Sequence, residues 1–174
     1  VILLAVVVDI QTVGIYQFAK RLVEPINYLV VTFNPWLQNK LQSEDKDFKI
    51  TSFFKQILLP TSLLLFGIYF IFGKNLIVFI GNEEFLNSFM PMMVLLIGFI
   101  TYLLSFWIRQ YLLFSNLIQF HAYGRIIYSL VFLVLAILLS DSLSSLGIAI
   151  ALSSAMVLQK IFEYTIYLIK IKSN

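Results

Sequence analysis

The sequence of 174 residues contains no cysteine and only one histidine. The lack of cysteine excludes disulfide bonds, thiolate metal sites and cysteine nucleophiles. Charged residues are also scarce, at 12% of the chain, whereas soluble domains contain about 25%. There is no metal-ligand spacing, no GxSxG motif and no phosphate-binding glycine loop. The sequence therefore predicts no enzyme, no catalytic residues, no cofactor and no metal site.

Hydrophobic residues, in contrast, make up 60% of the chain, and its mean hydropathy is +0.93. A soluble core would have no place for this much Leu, Ile, Val and Phe. We therefore expect an all-α integral membrane protein, and we expect no nucleic-acid partner despite the net charge of +3. The chain opens in the apolar run VILLAVVV, which looks like the tail of a helix and suggests a fragment of a longer protein.

Five stretches are long and apolar enough to be predicted as full membrane spans, since a spanning helix needs about 20 residues. They are 14–37, 53–72, 89–114, 126–140 and 146–169. With the partial helix at 1–8, they form a single transmembrane domain over 1–174. Residues 38–54 are predicted as a cytoplasmic, partly amphipathic connection; a simple solvated loop is the alternative.

Basic residues are distributed unevenly between the predicted loops. One side has a single basic residue, and the other side and the tail have seven: Lys74 against Lys40, Lys46, Lys49, Lys55, Arg125, Lys170 and Lys172. Basic residues in short loops collect on the cytoplasmic side. The pattern predicts a multi-pass protein whose C-terminus is cytoplasmic.

The first full stretch carries charge well inside its apolar length. Charged residues in a membrane span usually face a bundle interior or a wet cavity. At about 100° per residue, its polar side chains fall on one arc of the helix. We therefore predict that this arc lines a substrate-binding cavity, with candidate residues Gln17, Lys20, Arg21, Glu24 and Tyr28.

An alternative is that Lys20 and Arg21 extend to the headgroups, as long cationic side chains can. Glu24 follows them by four and three residues, so it can form an ion pair with either. A free arginine in a wet cavity suits phosphate, because its guanidinium donates two parallel hydrogen bonds. Pro25 and Pro35 favour bends in the same stretch.

The other polar residues of the apolar stretches have simpler interpretations. Arg109 and Gln110 are predicted to anchor the third stretch at the interface, with a cytoplasmic gate as the alternative. An i,i+3 salt bridge explains Lys160 and Glu163 near the end of the last stretch. His121 is expected in the cytoplasmic loop 115–125, near the headgroups.

Two segments carry a resemblance to a known family. VGIYQFAKRLVEPINYLVVTFNPWLQNKL resembles the eighth helix of polysaccharide flippases in the multidrug/oligosaccharidyl-lipid/polysaccharide (MOP) superfamily, particularly the O-antigen (Wzx-type) branch. LIVFIGNEEFLNSFMPMMVLLIG is similar to a later segment of that superfamily. The resemblance implies one lobe, the carboxy-terminal half, of a two-lobe transporter similar to MATE proteins.

The resemblance also implies a function. Such a flippase moves an undecaprenyl-pyrophosphate-linked oligosaccharide, an O-antigen or other surface polysaccharide unit, across the bacterial cytoplasmic (inner) membrane by alternating access. Arg21, in FAKRL, matches an arginine in the cationic cavity of related lipid II flippases. The residue before that arginine is an aspartate in those flippases and Lys20 in this chain. The implied partners are the lipid-linked oligosaccharide, membrane lipids, a coupling proton or sodium ion, and other polysaccharide-assembly proteins.

Two other functions compete with this interpretation. A MATE-type multidrug exporter would have the same fold, but its cavity tends to be acidic, whereas Lys20 and Arg21 outnumber Glu24 here. A membrane glycan polymerase or acyltransferase is the other alternative. Polymerases generally show a large basic external loop, and the longest external loop predicted here, 73–88, has one lysine.

Overall fold

The computed structural model describes residues 9–42 and 53–173, and within these ranges every regular element is a helix. The helices are α1 (Ile10–Val23), α2 (Pro25–Gln42), α3 (Leu59–Gly81), α4 (Phe89–Phe114) and α5 (Ile118–Ser173). A π-helical turn at Phe54–Leu58 leads into α3, and a 3-10 helix at Glu83–Ser88 leads into α4. The all-α prediction is thus confirmed for the described residues.

The junction of α1 and α2 lies at Glu24, directly before Pro25. Proline has no backbone N–H and its ring disfavours a continuous helix, so a break at this position is expected. The Asn27 N–H bonds the Glu24 carbonyl at 2.9 Å, a tighter turn than in an α-helix. The Tyr69 hydroxyl of α3 donates to the Leu22 carbonyl at 2.6 Å. This bond fixes the junction against the rest of the bundle.

Helix α4 is the centre of the bundle and contacts α1, α2, α3 and α5. Its buried face includes Leu95, Leu96, Leu103 and Leu112, none of which has exposed surface. By contrast, α3 has only three buried residues over its whole length. The remaining surface of α3 is rich in exposed Leu, Ile and Phe, the pattern of a helix that faces lipid.

Helix α5 is a hairpin of two arms, residues 118–143 and 145–173. Ser144 has φ 50° and ψ −127°, which breaks the helix and reverses the chain within the predicted loop 141–145. The arms then run antiparallel, since His121 lies beside Glu163 at the far end of the hairpin. Near the turn, a Cβ on Gly147 would collide with the Leu139 carbonyl. Only glycine allows the arms to approach this closely.

Three of the described helices are long and apolar enough to cross a membrane: Phe54–Gly81, Glu83–Phe114 and Ile118–Lys170. The third includes both predicted stretches 126–140 and 146–169, because it folds back at Ser144. The predicted first span, 14–37, is divided between α1 and α2 and is not among the three.

Two predicted loops are largely helical. Helix α3 continues to Gly81, and only Asn82 separates it from the next helix. The prediction of a loop at 73–88 is therefore wrong. The prediction of a loop at 115–125 is also wrong for the residues after 117, because α5 begins at Ile118. The connection 38–54 is helical to Gln42 and again from residue 53, and its centre, 43–52, lies outside the described residues.

Candidate functional site

A cavity of about 300 Å³ lies where the α1–α2 junction meets α4 and both arms of α5. Its polar wall comes from four parts of the chain. The junction contributes Lys20, Glu24 and Asn27; the first arm Arg125 and Tyr128; α4 Tyr102; and the second arm Gln159 and Lys160. Phe99, Leu152 and Met156 complete the wall. We call this the charged cavity.

The charged cavity lies deep in the bundle. Tyr102 is near the middle of α4, about 18–20 Å from either end at 1.5 Å per residue. The Lys160 ammonium lies 5.1 Å from the centre of the Tyr102 ring, a distance typical of a cation–π contact. A lysine at this depth is too far from either end of α4 to reach the headgroups. Headgroup anchoring therefore does not explain Lys160.

Positive charge exceeds negative charge on the cavity wall. Lys20, Arg125 and Lys160 carry the cations, and Glu24 is the carboxylate. Within the described ranges, Lys20, Glu24 and Arg125 form no ion pair within 4 Å. The Arg125 guanidinium lies instead over the Tyr128 ring, at 5.8 Å. The ion pair that Glu24 could form with Lys20 or Arg21 is therefore absent, and Lys20 and Arg125 are available to an anion.

The structure places the predicted site residues in three different environments. Lys20 and Glu24 line the charged cavity. Arg21 and Tyr28 are exposed on another face and do not contribute to its wall. The Gln17 side chain has a buried Nε2 atom with no hydrogen-bond partner in the described structure, and it too lies off the wall. The helical arc predicted from the sequence is thus only partly directed into one space.

Lys160 also belongs to a buried polar network between the two arms of α5. We call this network the Glu163 cluster, and it consists of His121, Gln159, Lys160 and Glu163. The Glu163 carboxylate has no exposed surface. It accepts hydrogen bonds from Lys160 Nζ at Oε2 and from Gln159 Nε2 at Oε1, each at 2.7 Å. His121 Nδ1 lies 2.7 Å from the same Oε1. The predicted salt bridge between Lys160 and Glu163 is confirmed, and both residues lie deeper than predicted.

A glycine makes room for the Glu163 cluster between the two arms of α5. A Cβ on Gly124 would lie 3.1 Å from Glu163 Oε1 and 3.3 Å from the Gln159 side chain. A larger residue would push the carboxylate from its partners. The prediction that His121 lies in a loop is wrong because it belongs to the helix that carries Gly124.

Gln110 has a structural role different from the one predicted. Instead of anchoring the helix at an interface, it is buried between α4 and α2. It accepts from Gln38 at 3.1 Å and donates to Asn34 at 3.0 Å. Such interhelical bonds hold helices together where water is absent. Arg109 beside it is exposed, as an anchoring residue would be.

Sequence reasoning missed Arg125, Gln159 and Lys160 as cavity residues. The sequence does contain a signal for Lys160. Charge inside a membrane span usually faces a bundle interior or a wet cavity, and this holds for a lysine inside 146–169 as it does for Lys20. A salt bridge with Glu163 explains a lysine at this position without a cavity, so the sequence alone does not single it out. Arg125 was counted as a loop cation because the start of α5 was predicted too late in the chain.

Comparisons with protein-family models, with curated proteins and with solved structures found no match. The candidate site therefore depends on the geometry of this chain. That geometry provides a cavity inside the helical bundle, an excess of positive charge on its wall, and two cations that have no ion-pair partner among the described residues.

Proposed function

We propose that this chain forms one lobe of a flippase for lipid-linked oligosaccharides, with the charged cavity as the site for the anionic headgroup. The observation that carries the proposal is that Lys20 and Arg125 both line the charged cavity and have no ion-pair partner among the described residues. An unpaired charge within a membrane-spanning bundle is costly and is retained where it serves a substrate. The substrate is an undecaprenyl-pyrophosphate-linked unit of a surface polysaccharide.

The chemical match is between a pyrophosphate and a small set of cations. A doubly charged headgroup cannot cross hydrocarbon unless other groups replace its water. Arg125 can donate two parallel hydrogen bonds to phosphate oxygens, and Lys20 can donate from the opposite wall. Asn27 adds an uncharged polar group suited to sugar hydroxyls. The lipid chain remains in the bilayer while the headgroup passes.

In this proposal the chain crosses the bacterial cytoplasmic membrane five times, with its C-terminus in the cytoplasm. Helices α1 and α2 together make the first crossing, α3 and α4 the next two, and the arms of α5 the last two. The exposed face that carries Arg21 and Tyr28 would then face a second lobe. Alternating access would open the space between the lobes to each side in turn, driven by a proton or sodium ion.

A multidrug cation exporter is the second candidate, and Glu24 is the observation that favours it. A carboxylate on a cavity wall that has no ion-pair partner in the described part of the chain can bind an organic cation. Lys20 and Arg125 share that wall and Glu163 compensates Lys160, so two cations still outnumber the one carboxylate and an exported cation would be repelled. Efflux of ethidium that depends on Glu24 would support the exporter.

Transport can be tested with the purified protein in liposomes that contain a fluorescent polyprenyl-pyrophosphate-linked oligosaccharide. Dithionite outside the liposomes destroys only the fluorophores of the outer leaflet. Without flipping about half of the signal remains, and with flipping the remaining signal decays. We expect decay with the wild type and much slower decay with the double variant Lys20→Ala/Arg125→Ala.

The matched control is Leu64→Ala, at an exposed position of α3 far from the charged cavity. It should flip at the wild-type rate. The proposal fails if wild-type liposomes behave like protein-free liposomes. It also fails if the double variant flips as fast as the wild type.

A further inference from the structure

Three hydrogen-bond donors converge on the Glu163 carboxylate, and one of them is a histidine. Lys160 contacts Oε2, while Gln159 and His121 share Oε1. Lys160 and Gln159 already give each oxygen a donor, so the buried carboxylate would be satisfied without a third one. Histidine is the side chain that ordinarily gains or loses its charge between pH 5 and 8. His121 therefore gives this network a property that its hydrogen bonding does not require.

The geometry of the Glu163 cluster determines where His121 can take up a proton. An ionised carboxylate only accepts hydrogen bonds, so His121 Nδ1 donates to Glu163, and Nε2 is the atom that binds a second proton. The His121 side chain is 16% exposed, whereas that of Glu163 has no exposed surface. His121 also lies within about one turn of the start of α5 at Ile118. The imidazole can thus exchange protons at the end of the hairpin while the carboxylate stays enclosed.

We propose that proton binding at His121 controls the affinity of the charged cavity for an anion, which becomes tighter as the pH falls. The inference rests on the proposed function in that it takes an anion as the ligand of this cavity. With a neutral His121, Glu163 compensates the charge of Lys160. With a protonated His121, two cations share one carboxylate, and the Glu163 cluster gains a net positive charge.

The added charge lies close to the cavity wall. His121 and Lys160 each contact an oxygen of the same carboxylate at 2.7 Å, so their two nitrogens are at most about 8 Å apart. Lys160 is itself part of the cavity wall. Inside a protein, charges at this separation interact strongly because water screens them poorly. A proton on His121 therefore makes the potential in the charged cavity more positive.

The other charged groups near the Glu163 cluster ordinarily keep their charge between pH 5.5 and 8. Arg109 of α4 and Arg125 of the first arm are near enough to act on Lys160, and arginine stays protonated. Lys20 and Glu24 face the cavity from the α1–α2 junction. The phenols on the cavity wall are Tyr102 and Tyr128. Carboxylates, lysines and tyrosines ordinarily titrate outside this range, so His121 is the group expected to respond within it.

The first experiment observes His121 directly, because the chain has a single histidine. Protein purified without a histidine tag and containing isotopically labelled histidine is studied by nuclear magnetic resonance in detergent micelles. The Cε1–H signal of the imidazole reports its protonation. Near pH 7, we expect sulfate to increase the protonated fraction, because an anion in the cavity stabilises the charged ring. Sodium chloride at the same ionic strength should have much less effect.

The second experiment measures sulfate affinity by titration calorimetry between about pH 5.5 and pH 8. Sulfate keeps its double charge over this range, so a change in affinity comes from the protein. We expect the wild type to bind about tenfold more tightly at the lower pH, because the cluster has gained a unit charge. His121→Gln retains a donor for Glu163 but cannot gain a proton, so its affinity should not change with pH.

Lys20→Ala is the matched control, because it removes a fixed cation from the same cavity. It should weaken sulfate binding at every pH but keep the tenfold ratio between low and high pH. Thermal melting checks the folding of both variants, and His121→Asn replaces His121→Gln if that variant is unstable. If sulfate binds too weakly to measure, pyrophosphate replaces it. Its own protonation affects the wild type and His121→Gln alike, so the difference between them still reports His121.

The outcomes separate this inference from the proposed function. Anion binding with the same affinity at both ends of the range would overturn the inference and leave the anion site standing. An equal pH effect in His121→Gln would also overturn it, since another group would then be titrating. Failure to bind either anion at any pH would remove the site, and both the inference and the proposed function with it. Histidine-dependent binding by a protein that does not flip lipids would support the inference and remove the flippase.

Discussion

The polar interior of this bundle has two adjoining regions that differ in whether their charged side chains are paired. In the Glu163 cluster each carboxylate oxygen has a partner at 2.7 Å, and the carboxylate has no exposed surface. In the adjoining charged cavity, Lys20 and Arg125 have no ion-pair partner within the described structure. The comparison suggests that the first region maintains the fold and that the second is available to a ligand.

The largest expected effect is on stability, from Glu163→Leu. This change leaves the Lys160 ammonium buried without its carboxylate, and breaking a buried pair in this way costs about 3–5 kcal/mol. Unfolding followed in mixed micelles should show the loss directly. The double variant Glu163→Leu/Lys160→Met should recover most of it, since neither charge then remains. Equal stability of the single variant and the wild type would remove the distinction between the two regions.

The next effect is on ligand binding. Lys20→Ala or Arg125→Ala should weaken the binding of a polyprenyl pyrophosphate by about 10- to 100-fold, the range for losing a hydrogen bond to a charged group. Stability should change little, because neither residue has an ion pair to lose. Titration calorimetry on the purified variants measures both the affinity and the stoichiometry.

Arg21→Ala is the matched control for these cavity variants, since Arg21 is on the same helix but outside the cavity wall. We expect it to weaken binding much less than Lys20→Ala. A larger loss from Arg21→Ala would restore Arg21 as the main phosphate ligand, as its resemblance to the flippase motif implied. The binding path would then follow the exposed face of α1 and α2.

A smaller effect is expected at the close contact between α4 and the second arm of α5, outside both regions. A Cβ on Gly98 would lie 3.0 Å from the Ser153 backbone, and Ser153 Oγ bonds the Val94 carbonyl at 2.7 Å. Gly98→Ala should therefore destabilise the protein by about 1–3 kcal/mol. Gly67→Ala, with no atom within 4 Å of the added group, should be neutral or slightly stabilising. Thermal melting in detergent distinguishes the two.

The smallest expected effect concerns the junction that carries Lys20 and Glu24. Tyr69→Phe removes the hydroxyl that bonds the Leu22 carbonyl, at a cost of about 0.5–1.5 kcal/mol. Hydrogen exchange should become faster near Pro25, while the Glu163 cluster keeps its protection. Unchanged exchange at the junction would show that Pro25 and packing alone fix its position.

The helical class was predictable because apolar composition alone excludes a soluble fold. Helix ends were harder to predict. The sequence GNEEF looks like a loop, but Asn82 alone makes the turn, with φ 84° and a side chain that accepts from the Glu84 N–H at 3.0 Å. With ψ 179°, Asn82 adopts a backbone conformation that residues other than glycine rarely adopt, so nothing in the sequence indicated that one residue would replace the predicted loop.

Only the part of the charged cavity wall that comes from α1 and α2 was predictable from the sequence. A helical wheel shows which residues share a face of one helix, and it places Lys20 and Glu24, which both line the cavity, on one arc. It cannot show that Arg125 and Lys160 reach the same space, because that depends on the hairpin at Ser144. The wheel also grouped Arg21 with Lys20, although the packing of α1 leaves Arg21 exposed.

The most direct test of the account is whether water and anions reach the charged cavity. The chain has no cysteine, so a single Asn27→Cys variant can be labelled selectively by a charged, water-soluble thiol reagent. Leu64→Cys, on the exposed apolar face of α3, is the control. We predict fast labelling at residue 27, protection there by pyrophosphate, and slow labelling at residue 64. Labelling at residue 27 as slow as at residue 64, or unaffected by pyrophosphate, would contradict an anion-binding cavity.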